Sequence, residues 1–324
     1  MNIASGAQMV PREGLCRILS LDGGGAKGFY TLGVLAQIEA MLGGKLLCEH
    51  FDLIFGTSTG AIIAALLSLG YKVADILTLY RRHVPTVMKY KMCAGKTKAL
   101  AQLATEVFGD KDFTKVRTGI GIVATHWLLE KPMIFKASAA QAHGRKASFI
   151  PGFGCTIADA VRASCSAYPF FDRVVLTTGQ GVRVEVFDGG YCANNPTLYA
   201  VADAVKAYQK DYADLRVVSV GVGVYPEPKR WAPTNVAMWC VKVALGFTAL
   251  QLLQKTLNVN TTSMEQLRHI LFNDIQAVRI NDTFDQPEMA TDLLEADLTK
   301  LNLLYQRGWE SFAQHENALR ELLL

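Results

Sequence analysis

Five residues, Gly56-Thr57-Ser58-Thr59-Gly60, stand between the apolar runs Phe51–Phe55 and Ala61–Leu67. No other feature constrains the fold as strongly. The first run reads as a short strand and the second as a buried helix. A change from strand to helix within so few residues demands a sharp turn. The turn projects the serine hydroxyl from the strand's carboxyl end, in the pattern Gly-x-Ser-x-Gly. Side chains at Gly56 and Gly60 are expected to collide with the neighbouring strand and helix. The helix N-terminus favours negative charge nearby. A helix start capped by Ser or Thr fits the same residues.

A second glycine cluster, Asp22-Gly23-Gly24-Gly25-Ala26-Lys27-Gly28, lies between an expected strand, Cys16–Leu21, and an expected helix, Phe29–Leu42. Consecutive glycines leave backbone N–H groups uncovered at a helix N-terminus, which suits a bound anion or a tetrahedral oxyanion. Gly23, Gly25 and Gly28 also fit Gly-x-Gly-x-x-Gly, a dinucleotide fingerprint that wants an acid at the end of the next strand. Here Asp52 stands at that strand's start, which argues against a cofactor. A tight turn that binds nothing is the plain alternative.

Short apolar runs at Thr118–Thr125, Met133–Lys136, Val182–Phe187 and Leu215–Val222 alternate with helical patterns. That predicts an α/β fold with a mainly parallel sheet and helices on both faces. From about Trp231 the pattern is helical, with Leu294, Leu298, Leu301 and Tyr305 on one face. Prolines 226, 228 and 233 place a boundary near Tyr225–Pro233. The expected division is a main domain over residues 17–223 and a helical C-terminal annex over 224–324, packed on it.

The chain has 324 residues and a formal net charge of +4. That charge permits an anionic partner without demanding one, and nothing supports nucleic-acid binding. Seven scattered cysteines without Cys-x-x-Cys predict neither a disulfide framework nor a zinc site. Residues 1–14 lack a charged start followed by an apolar run, and no run is long enough to span a bilayer. A cytoplasmic protein that touches membranes peripherally is the expectation. The apolar stretch Trp231–Leu253 is the candidate contact, with a buried helix as the competing reading.

A serine nucleophile needs a base, and none of the six histidines has a convincing setting; His126 is the best of them. Asp188 is the better candidate. It ends an expected strand, followed by Gly189 and Gly190, and a carboxylate within hydrogen-bond reach can serve as general base. Asp-Gly is also a common turn.

In this order the segments GGGAKG (23–28), GTSTG (56–60) and DGG (188–190) resemble the patatin-like phospholipases. AVRASCSAYPFF (160–171), DGGYCANNPTLYA (188–200) and VVSVGVG (217–223) agree with it, so the resemblance spans roughly residues 17–223. It implies a patatin-like three-layer sandwich and calcium-independent hydrolysis of phospholipid acyl esters, with no cofactor or metal. Carried over, Ser58 is the nucleophile, Asp188 the base, and the loop of Gly23, Gly24, Gly25 and Gly28 the oxyanion hole. Gly56, Gly60, Gly189 and Gly190 support the turns. Asn194 and Asn195 brace the last motif, and Cys165 departs from the family by its size.

The chain also resembles, more narrowly, the phospholipase effectors of bacterial cyclic-oligonucleotide anti-phage signalling. That implies an enzyme silent until a cyclic nucleotide binds and then destructive to the host membrane, with a homo-oligomer allowed for on activation. Residues 76–105 hold no acid but contain Arg81, Arg82, Lys89, Lys91, Lys96 and Lys98. Arg81 and Arg82 are the candidate ligand contacts, and a solvated basic face is the plain alternative. Two other functions compete: a non-catalytic lipid- or nucleotide-binding module of the same fold, which the intact Ser58 and Asp188 disfavour, and a dinucleotide-dependent oxidoreductase.

Overall fold

The computed structural model describes residues 14–143, 146–226 and 237–324, with backbone alone at 146 and 237–249. Strand β1 (Cys16–Leu21) leads through the glycine loop into α1 (Gly28–Met41). After the short α2 (Leu47–His50), strand β2 (Leu53–Thr57) turns into α3 (Thr59–Ser68). Helices α4 (Val73–Lys89) and α5 (Cys93–Phe108) then lead to the hairpin β3 (Gly119–His126) and β4 (Lys131–Lys136). Next come α6 (Ile157–Cys165), β5 (Val174–Thr177), β6 (Arg183–Asp188), α7 (Gly190–Ala193), α8 (Thr197–Lys206) and β7 (Leu215–Val220). The chain closes with α9 (Ala237–Leu271), β8 (Gln276–Ile280) and α10 (Leu298–Leu323).

All the strands join one sheet in the order β5-β6-β3-β2-β1-β7-β8, with β4 also on β3. Strands β3, β2, β1, β7 and β8 are parallel. The central strands β1 and β2 are buried almost throughout, as expected where helices cover both faces of a parallel sheet. On one face a large apolar core gathers α1, α3, α4, α5, α6 and α10; on the other α8 packs over β1, β2 and β7.

The expectation of an α/β fold with a mainly parallel sheet holds, with one correction. The tail is not wholly helical: β8 pairs with β7 from Arg216–Gln276 to Val220–Ile280. Its side chains are mostly half-buried, so the strand lacks the strong apolar signature of its neighbours. Strand β6 runs antiparallel to β3. Residues 227–233 of the Tyr225–Pro233 boundary and 231–236 of the Trp231–Leu253 stretch lie outside the described residues. From residue 237 that stretch is α9. Among the described residues no helix is long and apolar enough to cross a membrane.

Candidate active site

Strand β3 aligns the two principal side chains. Strand β4 runs along one edge of β3 from Gly121 to His126. The other edge is therefore shared: β2 occupies it through the Thr57–Val123 pair, and β6 takes over at the next residue with Asp188–Ala124. Ser58 follows the end of β2, and Asp188 is the last residue of β6. The two strands meet end to end on one template.

Ser58 has φ 52° and ψ −121°, in the left-handed half of backbone space that side chains rarely adopt. Such strain persists only where the surroundings fix it. Its amide donates to Ser164 Oγ at 2.8 Å, and that hydroxyl donates to the Val123 carbonyl at 2.5 Å. The flanking glycines admit close backbone: a Cβ on Gly56 would lie 2.7 Å from Ala61 N, and one on Gly60 2.7 Å from the Asp22 carbonyl oxygen. The helix and the neighbouring strand thus meet this turn as the sequence implied.

Ser58 and Asp188 line the same cleft, and the Ser58 side chain acts on the Asp188 carboxylate in favour of its ionised form. Asp188 is 3% exposed and accepts the Gly190 amide at 2.7 Å. Burial raises its pKa to about 7, against the lowering effect of the Gly190 amide and the Ser58 side chain. A carboxylate near neutrality is a far better proton acceptor than a solvated one. The ionised form is the working base, so kcat/KM for ester cleavage is expected to rise with pH through about 7 and then level. A pH profile flat from 5 to 8 would remove Asp188 from the titrating role.

The glycine loop contributes fewer donors than its sequence offers. Gly23 spends its amide on the Asn194 carbonyl at 2.9 Å, and Gly28 spends its own on the Gly25 carbonyl. These two glycines are corrected from oxyanion donors to braces, because a loop turning into a helix satisfies its own ends first. Gly24 and Gly25 line the cleft beside Ser58, and their amides bond to nothing among the described residues. Gly25 sits at φ +59° with the Leu293 carbonyl where a Cβ would be, so a side chain there disturbs the fold as well as the donors. Thr59, in the first turn of α3, also lines the cleft and adds a candidate amide.

The loop is clamped from a distance. Asp22 is held by Arg279 of β8, with one contact at 2.8 Å, and Arg279 also donates to Ser219 Oγ at 2.7 Å. Ser164 belongs to the 160–171 segment, whose resemblance names no partner for it, and Arg279 lies outside the quoted segments; only the folded sheet brings them to the site. Cys165 is buried in the cleft wall, which it shares with Ser58. Burial, with Asp188 adding to it, keeps the Cys165 thiol protonated.

The cleft is apolar apart from these groups. Its walls come from α4 (Val84, Val87, Met88), α5 (Leu100, Leu103) and α9 (Leu250, Leu253, Leu257). Its free volume is about 70 Å³, against roughly 300–1,000 Å³ for ordinary ligand sites. Tyr80 of α4 donates to the Thr59 carbonyl at 2.9 Å, tying this wall to the residue after Ser58. Arg81 and Arg82 are not in the cleft. Arg81 donates to Asn302 of α10 at 3.0 Å, and Arg82 pairs with Glu106 of α5 at 2.8 Å. His126 accepts a turn amide from Leu129 at 3.2 Å and does not line the cleft.

Residues 19–201 match the family model of patatin-like phospholipase. The chain is 61% identical over 312 residues to an Escherichia coli protein named cUMP-AMP-activated phospholipase, covering 96% of this chain and 95% of that one. It is 25% identical over 248 residues to the cGAMP-activated phospholipase of Vibrio cholerae, covering 68% and 67%. Over 275 residues it is 27% identical to patatin-like protein 3 of Arabidopsis thaliana, covering 69% of this chain and 63% of that protein.

Proposed function

The chain belongs to the patatin-like phospholipase family, and on that premise we propose that it cleaves phospholipid acyl esters through Ser58 and Asp188 once a cyclic dinucleotide opens its cleft. The observation that carries the chemistry is Ser58, on a strained turn, lining an apolar cleft together with the buried carboxylate of Asp188. Asp188 takes the proton as Ser58 Oγ attacks the ester carbonyl. The amides of Gly24, Gly25 and Thr59 surround the developing oxyanion, and the same proton passes to the leaving glycerol oxygen. Water then releases the acyl group by the reverse proton path. Residues 17–223 supply this chemistry, and 224–324 complete the sheet and the cleft.

Two observations support the activation half of the reading. A cleft with about 70 Å³ of free volume is narrower than ordinary ligand sites, which fits an enzyme whose wall moves to admit the lipid. The likeness to the cUMP-AMP-activated phospholipase supplies the class of signal. Helix α4 is the wall best placed to answer it. It lines the cleft, bonds the nucleophile turn through Tyr80 and carries Arg81 and Arg82 outward. A ligand that favours the open cleft shifts the equilibrium by its differential affinity. Membrane degradation in anti-phage defence, with peripheral binding to the bilayer and assembly into a homo-oligomer, is the setting that fits such a switch.

The test is fatty-acid release from phospholipid vesicles with and without cyclic UMP-AMP and cyclic GMP-AMP, with particle size followed in parallel. Release is expected only with nucleotide, and Arg81→Glu/Arg82→Glu is expected to abolish the response. Full activity without nucleotide overturns the switch. A response that survives the charge reversal places its site elsewhere.

A further inference from the structure

Behind the glycine loop lies a second cavity, of about 140 Å³. It shares Gly24, Asn194, Leu257 and Leu293 with the catalytic cleft, so these four residues stand between the two cavities. Its character is the opposite of the cleft's. Lys27, Asn194, Asn258, Thr261, Thr262 and Asn281 bring polar side chains to it. Lys27 is 3% exposed, and its ammonium forms no hydrogen bond or ion pair among the described residues. A buried lysine without a partner is costly.

Two carboxylates, Asp292 and Asp22, act on that cation from a distance without bonding to it. Asp22 also lines the cavity, but Arg279 takes its carboxylate. Asp292 lies within Coulombic range of two buried lysines, Lys27 and Lys96. Burial lowers the Lys27 ammonium to about 8, with Asp292 and Asp22 acting against that, so it is still charged at neutral pH. A second polar atom waits in the same place: Asn194 Oδ1 is buried without a hydrogen-bond partner. Its amide nitrogen is committed to the Gly23 carbonyl at 3.2 Å and to Thr261 Oγ1 at 2.7 Å.

We propose that this cavity receives the phosphodiester of the substrate lipid, with Lys27 as its counter-ion. The inference rests on the phospholipase reading above. An ester whose carbonyl lies against Gly24 sends its acyl chain into the apolar cleft and its glycerophosphate past Asn194 towards Lys27. The glycerol oxygen, protonated as it leaves, is a donor of the kind Asn194 Oδ1 lacks. Thr262 and Asn258 are exposed and form the rim. Its place beside the catalytic cleft favours the lipid's phosphate, and the nucleotide arm of the experiment separates it from the activator's.

The experiment compares kcat/KM on phosphatidylglycerol and on diacylglycerol of the same acyl chains, in the same mixed micelles, with activator present. Lys27→Met is expected to lower the phospholipid-to-diacylglycerol ratio about 30-fold, the scale of a lost charged hydrogen bond, and Lys27→Arg to restore most of it. Asn258→Asp, an exposed change at the rim that spares the fold, is expected to lower the ratio about 10-fold by repulsion. The half-activating concentration of nucleotide should not move in any of the three. An unchanged ratio in both Lys27→Met and Asn258→Asp overturns this inference alone. So does a shift in nucleotide response with the ratio intact, which would hand the cavity to the activator. Wild-type protein that cleaves diacylglycerol but not phospholipid overturns the phospholipase reading and this inference with it.

Discussion

Ser58→Ala, Asp188→Asn and the double variant are each expected to lose ester cleavage by at least about 10³-fold, with the double no worse than either single. Groups that act as one unit are strongly non-additive. Here the unit is a hydroxyl and a carboxylate on one cleft, with no histidine among the described residues lining it to act as a base in their place. Stability should move the other way. The folded pKa of Asp188 is about 7, well above its ordinary value of 3.8. Between those values the unfolded chain ionises while the native side chain stays neutral, so native stability falls as pH rises through that window. Asp188→Asn is free of that loss. Its stability advantage over wild type should be near zero at pH 4 and grow to as much as about 4 kcal/mol above pH 7. Urea unfolding at pH 4, 6 and 8 measures it. An advantage independent of pH would show that Asp188 is not held neutral by burial, and activity left in Asp188→Asn would end the dyad.

Arg279→Met is expected to cost about 3–5 kcal/mol of stability, because it strands the Asp22 carboxylate in the core. Asp22 is 2% exposed and Arg279 binds both of its oxygens. A matching drop of at least about 5 °C in Tm should appear. Asp22→Asn/Arg279→Met should recover part of the loss, since the unpaired charge, and not the missing contact, is the larger penalty. Asp22 also leads directly into Gly23 and Gly24, so the single variant should lose kcat at temperatures where it remains folded. Arg279→Met with wild-type Tm and kcat would mean that the clamp holds nothing.

How much of this could be read from the chain depends on the range of the interactions. The turn at Ser58 was legible because its causes are local: a strand, two glycines and an apolar helix in sequence. Asp188 was legible as the end of a strand, and therefore as a group at the catalytic edge. What the sequence did not disclose is the direction of that strand. The strand is antiparallel and reaches the edge from beyond it, a topological fact with no local signature. Gly23 and Gly28 looked equal to Gly24 and Gly25 because a run of glycines does not disclose which amides the fold consumes. Ser164 and Arg279 lie 106 and 257 residues from the groups they hold, and pairings across such separations leave no periodicity to find. Strand β8 escaped notice because a half-buried strand shows only weak alternation.

The shared edge of β3 has a consequence for how such a protein can diversify. Nucleophile and base are set by consecutive residues of one strand, Val123 and Ala124, whatever chain runs between them. The helices inserted on that path, α4 and α5, can lengthen, rotate or change their side chains without altering that register. Insertion of a single residue in Val186–Asp188 would instead turn the carboxylate to the opposite face of the sheet. Chemistry is thus insulated from control. A lineage could exchange one signal for another, or one lipid for another, by rewriting the walls while the reacting pair keeps its place.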